Sequence, residues 1–372
     1  MYEIDLKNGY SVEKDFDFKV HTNKENNKSL LVLDSDETEH LKEISFFHFG
    51  GSDYIGSQID VLSDKGDIYG FNFYSTPGRS GAFHLDHVLG SVDVPDFILQ
   101  FEDTNSLDSL VYVGKNNKGY IKKNEEAVEL KLPVSDNTQN VYGLTITDTN
   151  RVFGFYIRHN NYGILERKII QWDSDGNYDF ITNMSGLETG AYNNHTFNDK
   201  YMSCVLYRDD IMVPCIVDFD EDAIIEIKHK DSILRNYIPV SNRVGDIILR
   251  PDGVFDDEVG SIQLYKKKGT SGQVKKISIR DNNVIADEVY KDDSFIGDEH
   301  YGDIENSKSI FFDDRLFFDK RIVFVDELNN ILKGRDTITY LNVVRINKNK
   351  QLCGYATYLG DKYIFKATLK NI

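Results

Sequence analysis

Apolar and polar residues alternate with a period of two in short runs along this chain, as in Ser261-Ile262-Gln263-Leu264-Tyr265 and Lys276-Ile277-Ser278-Ile279-Arg280. Successive side chains on a strand point to opposite faces, so this rhythm predicts half-buried β-strands. No stretch of a dozen residues combines 3.6-residue apolar periodicity with helix caps. The runs are rich in Val, Ile, Tyr, Phe and Thr, and clusters of Asn, Asp, Gly and Ser separate them, which is strand-and-turn composition. An all-β chain is expected from end to end. Only six prolines occur, and they do not cluster into a linker, so a single domain over residues 1–372 is expected.

The pattern also repeats. Residues 62–70 (LSDKGDIYG), 146–154 (ITDTNRVFG) and 346–354 (INKNKQLCG) align without gaps, and each glycine is followed at once by Phe71, Phe155 or Tyr355. Each segment reads as an apolar strand end, a polar turn and a returning strand. A glycine inside a strand costs stability, so its recurrence marks a close approach of backbone or of a large side chain. A second element follows: residues 82–86 (AFHLD), 169–173 (IIQWD) and 322–326 (IVFVD), with 30–34 (LLVLD) and 214–218 (PCIVD) beside them. Each is an apolar strand ending in an aspartate that can turn the chain by bonding its own backbone. Weaker copies occupy 120–124, 262–266 and 363–367.

The ends of these copies are 38 residues apart from Asp86 to Asn124 and 60 apart from Lys266 to Asp326, with the others between. A repeat of that length, with about four short strands in each unit, is the mark of a β-propeller. Passing from Ala367 through the C-terminus to Asp34 adds one more unit of similar length. That arithmetic predicts a strand within residues 2–6 completing the blade whose other strands end near Leu369. The count is eight mostly four-stranded blades, with seven as the alternative because several copies are degenerate. The motif of an apolar residue, a polar turn, a glycine-bearing strand and then Ala-Phe-x-x-Asp resembles the HAF repeat of bacterial proteins, best at 62–86, 146–173 and 346–369. That resemblance implies a propeller-like fold and supplies no catalytic residues. Family members are often extracellular, whereas this sequence opens without the basic start and apolar stretch of an export signal.

Acidic residues number 61 against 43 basic ones, a formal charge of −18. Such a field repels phosphate backbones and anionic lipid, so neither nucleic-acid binding nor membrane insertion is expected, and a basic partner is favoured. The expected placement is cytoplasmic as synthesised, with incorporation in a phage particle or release by a non-classical route as the alternatives. Cys204, Cys215 and Cys353 form no CxxC pair and leave one over, so reduced thiols are expected. A two-residue turn at Asp209-Asp210 would set Cys204 opposite Cys215 in a wide, hydrogen-bonded register unsuited to a disulfide.

Candidate chemistry is sparse. His84 and Asp86 share one strand face, with His87 adjacent, and could hold a metal or a proton, yet they fill ordinary slots of the repeat. Asp173-Ser-Asp175-Gly-Asn177-Tyr-Asp179 spaces oxygen ligands as calcium loops do, but lacks the bidentate glutamate, so it reads as a solvated turn. Residues 78–81 (GRSG) form a hairpin-tip sequence. No nucleophile elbow, P-loop or zinc-protease motif occurs. No cofactor, metal or catalytic residue is therefore expected. The leading expectation is a non-enzymatic module that binds another protein within a larger assembly. A glycan or surface-receptor binder using loop aromatics such as Tyr162 and Tyr178 comes next, and a glycan hydrolase third. The longest interval holds an insertion whose Tyr290, Phe295, His300 and Tyr301 are the candidate contact residues, because insertions in repeat folds map to loops of a binding face.

Overall fold

The computed structural model describes residues 10–34 and 41–49 except 15–17 and 24–27; 53–251 except 79, 88, 125, 134–138, 161–162, 182–187, 191–195, 198, 209–210, 230–231, 234–236 and 242–245; 273–295 except 281–282 and 292–293; 309–319 except 313–316; and 338–369 except 348, 350 and 359–360. Every regular element among these residues is a β-strand.

Sheets of neighbouring strands follow one another along the chain, antiparallel except where Ser294–Phe295 pairs parallel with Ser309–Phe312. Tyr54–Leu62, Ile68–Tyr74, Gly81–Leu85 and Ser91–Val92 form one four-stranded sheet in chain order, here called blade 54–92. Ile98–Thr104, Leu110–Gly114, Gly119–Lys123 and Glu126–Glu129 form blade 98–129, and Gln139–Ile146, Val152–Asn160, Gly163–Trp172 and Tyr178–Phe180 form blade 139–180. Blade 188–226 is built on Glu188–Gly190, Tyr201–Arg208, Ile211–Asp218 and Ala223–Glu226, with Thr196–Phe197 as a fifth, short strand. Tyr237–Ser241, Asp246–Pro251, Gln273–Arg280 and Asn283–Lys291 make a further four-stranded sheet, and Ser294–Phe295, Ser309–Phe312 and Phe317–Asp319 a three-stranded one. Four-stranded antiparallel meanders repeated in this way are the blades of a β-propeller.

The last blade departs from chain order. Ile338–Ile346, Gln351–Tyr358 and Asp361–Leu369 are completed by Leu41–His48, which pairs antiparallel with Asp361–Leu369. Beyond it Lys28–Asp34, Phe18–Asn23 and Tyr10–Lys14 widen the sheet to seven strands. Pairing of N-terminal with C-terminal strands was expected from the repeat, but through residues 2–6. Residues 2–6 lie outside the described residues, and both edges of Asp361–Leu369 are taken by Gln351–Tyr358 and Leu41–His48. The strand Leu41–His48 is fixed there by its apolar cargo, since Ile44, Phe46 and Phe47 are all buried. The copies ending at Asp34 and Ala367 consequently share one sheet. Among the described residues, seven sheets have three or more strands. The copies at 262–266 and 322–326 lie outside those residues.

The chain groups into two compact units, one of residues 1–96, 294–311 and 318–372, the other of 97–293 and 312–317. In the first, blade 54–92 and the terminal blade share a core in which Ile59, Leu62, Ile68, Phe83 and Leu85 meet Phe47, Val344, Cys353 and Ile364. In the second unit, the period-two rule shows directly on blade 139–180. Val152, Tyr156, Ile170 and Trp172 pack with Val111 and Ile121 of the preceding blade, while Phe153, Phe155 and Ile169 pack with Met202, Cys204 and Val217 of the next. Neighbouring positions serve opposite faces, so this blade is buried on both sides.

The glycine hairpins have a common cause. Gly70, Gly154 and Gly354 each stand across from a β-bulge in the first strand of their blade, where the register slips between Ile59 and Val61, between Tyr142 and Thr145, and between Val343 and Arg345. A bulge puts two residues against one and pushes backbone toward the partner strand. A Cβ on Gly70 would lie 2.0 Å from the Gln58 carbonyl oxygen, and one on Gly154 would lie 2.7 Å from the Leu144 side chain. Blade 98–129 carries the same bulge, between Phe101 and Asp103 with Glu102 as the extra residue, but places Tyr112 opposite it, and the Tyr112 ring stacks on Tyr120 at 5.3 Å. Cys204 faces Cys215 across the hairpin as the register arithmetic predicts, and no disulfide forms. Burial pushes the Cys204 thiol up to about 12.

Candidate interaction surface

The paired blades of the first unit have two chemically distinct ends. At one end the strands are joined by a single turn design. In 63–67 the N–H of Ser63 donates to the Asp67 carbonyl (2.9 Å), the N–H of Gly66 to the Ser63 carbonyl (3.0 Å), and the N–H of Asp67 to Ser63 Oγ (3.0 Å). The same three bonds close 86–90 on Asp86, 105–109 on Asn105, 147–151 on Thr147 and 173–177 on Asp173. The fourth residue of each has positive φ: Gly66, Leu89, Asp108, Asn150 and Gly176. Short polar side chains at the first position accept backbone donors, and Gly, Asn or Asp suit the left-handed fourth position. Leu89 is the exception, and it is buried in the core. The aspartates expected to turn the chain do so at Asp86, Asp173 and Asp218, the last accepting the N–H groups of Asp220 (3.1 Å) and Glu221 (3.2 Å).

These turns also lock blade to blade. Asn347 Nδ2 donates to the Ser63 carbonyl (2.7 Å) and Asn349 Nδ2 to the Asp64 carbonyl (2.6 Å). Lys366, almost fully buried, donates its ammonium to the carbonyls of Gly66 (3.0 Å) and His87. In the second unit Asn105 Nδ2 donates to the Thr147 carbonyl (2.8 Å), and the N–H of Asp148 to Asp199 Oδ1 (3.0 Å). This end is dense with structural hydrogen bonds.

The opposite end of the same two blades is aromatic and open. Tyr363, His48, Tyr54 and Tyr74 form a continuous row of rings with centroids 5.2, 5.7 and 5.5 Å apart. The row crosses from the terminal blade to blade 54–92. At the same end Ile55 is 51% exposed, and Phe73, on the strand face opposite Tyr74, is 40% exposed. Ile55 is the extra residue of a second bulge, because Tyr54 pairs with Tyr74 and Gly56 with Phe73. Its carbonyl accepts the Lys362 ammonium at 2.6 Å, and His48 Nδ1 donates to the Lys362 carbonyl at 2.8 Å. Burial is the main force pushing the Tyr54 hydroxyl up to about 12, against the lowering effect of its 2.5 Å bond with Ser57 Oγ; the Ser57 hydroxyl in turn donates to Asn72 Oδ1 at 2.6 Å. Two apolar side chains in water on a rigid, hydrogen-bonded edge are the ingredients of a contact surface.

The residues singled out from sequence are placed as follows. Tyr290 lies in strand Asn283–Lys291 and Phe295 in strand Ser294–Phe295, in different compact units, while His300 and Tyr301 lie outside the described residues. His84 is paired with Asp67, Nε2 to Oδ2 3.2 Å, and not with Asp86, whose carboxylate is occupied by the Gly90 N–H. His87 Nδ1 lies 4.0 Å from the other oxygen of Asp67, and the His84 ring stacks on Tyr69 at 4.3 Å. Asp173 closes its own turn, and the Asn177 side-chain donor is the main cause holding its carboxyl below the usual range. Among the described residues no group of three or more His, Cys, Asp or Glu side chains could hold a metal ion. Gly78 sits in the loop between the second and third strands of blade 54–92, Tyr178 is 39% exposed on an outer strand, and Tyr162 lies outside the described residues. The open aromatic end has no motif in the sequence. Its signal is the bulge at Ile55, which only pairing reveals.

No family model matches the chain, and no match was found among curated proteins. Solved structures of similar fold include TolB from Acinetobacter baumannii, at 13% identity and a TM-score of 0.40 over 87% of this chain, which spans 65% of that protein's length. The Dos1 propeller matches at 10% identity and a TM-score of 0.41, covering 96% of this chain and 94% of that one. A nidogen/laminin complex matches at 8% identity and a TM-score of 0.37, covering 71% of this chain and 89% of that one. Among the described residues no helix is long and apolar enough to cross a membrane.

Proposed function

We propose that this propeller is a non-enzymatic interaction module that docks a protein partner on the open end of blade 54–92 and the terminal blade. The observation that carries the reading is the pair of water-exposed apolar side chains, Ile55 and Phe73, at the same end of the sheet as a row of rings that spans both blades. Aromatic and apolar anchors on a fixed framework supply most of the energy at protein interfaces, and rigid presentation lowers the entropic cost of docking. The partner is a protein with an apolar anchor ringed by basic side chains, because a body of net charge −18 steers cations toward itself and repels acidic surfaces. Catalysis is not part of the proposal: His84, the imidazole singled out from sequence, is engaged with Asp67 and covered by Tyr69.

The test is purification of the tagged protein from its native source, alongside a Ile55→Ser/Phe73→Ser double variant. A stoichiometric basic partner retained by the parent and lost by the variant, with an unchanged thermal transition, is the expected result. Equal retention by the variant overturns the reading. A second reading, glycan binding, is favoured by the exposed Tyr178 ring on its outer strand. Saturable binding to one sugar on a glycan array, lost in Tyr178→Ala, would select it.

A further inference from the structure

We infer that Lys362 is the positioning residue of this surface, holding the bulged backbone that turns Ile55 outward. The inference rests on the docking reading above. A bulge inserts an unpaired residue and redirects its side chain, but it also gives up ladder hydrogen bonds and needs an outside partner to stay in one geometry. At Ile55 that partner comes from the neighbouring blade. The Lys362 ammonium donates to the Ile55 carbonyl at 2.6 Å, and the lysine stem runs past Gly56, where an added Cβ would lie 4.0 Å from Cδ and 3.9 Å from Nζ. Lys362 is itself fixed from behind: its residue sits in strand Asp361–Leu369, and its carbonyl accepts the His48 ring N–H at 2.8 Å. His48 in turn packs edge-on against Tyr54, the residue that precedes the bulge, with ring centroids 5.7 Å apart.

A closed circuit results, from Ile55 to Lys362 to His48 to Tyr54 and back along the chain to Ile55. It crosses the seam between two blades twice. The docking surface is therefore preorganised only while the two blades are in register, and a shift of one against the other removes the donor that sets Ile55. Charge-assisted hydrogen bonds of this kind are the stronger sort, but a single exposed one adds little to global stability. Its effect is on local order at the bulge.

The experiment reads that order directly. Ile55→Cys is labelled with a nitroxide, which is selective because Cys204, Cys215 and Cys353 are buried. Spin-label mobility is then compared in the Lys362 parent, in Lys362→Met, which keeps the stem and loses the donor, and in Lys362→Arg, which keeps a donor. The expected result is an immobilised spectrum in the parent, loss of most of that component in Lys362→Met and its recovery in Lys362→Arg, with thermal transitions alike. Identical spectra in the parent and Lys362→Met overturn the inference. If the Ile55→Ser/Phe73→Ser variant keeps its partner while the spin-label result holds, the docking reading fails and the clamp stands.

Discussion

The two ends of blade 54–92 and the terminal blade are made from the same strands and face opposite chemical demands. At the turn end, Asn347, Asn349 and Lys366 reach across the seam to carbonyls of Ser63, Asp64, Gly66 and His87. At the aromatic end Lys362 reaches across the seam to the Ile55 carbonyl, and large apolar side chains are left in water. The difference teaches a division of labour. Cohesion gathered at one end leaves the other able to expose hydrophobic surface without the blades separating, because the cost of exposure is borne by bonds some seven residues away along each strand.

That contrast can be broken or sharpened in graded steps. The largest effect is expected from Phe47→Ala, which opens a cavity in the core shared by both ends; a loss of about 3–5 kcal/mol is expected in a denaturant titration. Gly70→Ala forces a methyl against the Gln58 carbonyl oxygen and should cost about 1–3 kcal/mol by overpacking, read as a lower thermal transition. Asn347→Ala strips the turn end of a buried donor to Ser63 and of the acceptor for Gln351, for which about 1–3 kcal/mol is expected by the same titration. If Asn347→Ala instead left stability untouched while Lys362→Met lowered it strongly, the assignment of cohesion to the turn end would be reversed. The Ile55→Ser/Phe73→Ser variant should change stability by no more than about 0.5 kcal/mol per site while releasing the partner.

The smallest effect concerns pH. The Asp173 carboxyl is held below its ordinary range chiefly by the Asn177 side chain, so its contribution is present above the unfolded value and lost as pH falls through the folded one. Asn177→Ala should therefore weaken the protein slightly near pH 7 and flatten the acid limb of its stability profile. A denaturant midpoint followed from about pH 6 to about pH 3 checks it.

Much of this architecture is legible in the residues themselves. The period-two pattern, the glycine hairpins and the aspartates at strand ends are local signals, and the Cys204–Cys215 pairing follows from counting around a turn. The bulge opposite each glycine explains why the repeat keeps glycine there. Tyr112 shows what a copy does without it: the ring stacks on Tyr120, and burial pushes its hydroxyl up to about 12. What stayed hidden depends on distant partners. Leu41–His48 does not alternate cleanly, and nothing local announces that its neighbour lies more than three hundred residues away. His84 and Asp86 share a strand face in sequence, yet Asp86 is held by its own turn and His84 turns to Asp67. Phe71 and Phe73 occupy equivalent faces of one strand, and only the cover provided by neighbours makes one half-buried and the other exposed.

The strand Leu41–His48 has a consequence for synthesis. It leaves the ribosome carrying Phe46 and Phe47, but the backbone that covers its second edge is translated more than three hundred residues later. At ordinary elongation rates the nascent chain waits on the order of tens of seconds for that cover. A polypeptide cut short anywhere before residue 361 never receives it and keeps a sticky, unfinished margin, which is the kind of surface chaperones and proteases recognise, so the molecule carries its own check on whether translation passed that strand.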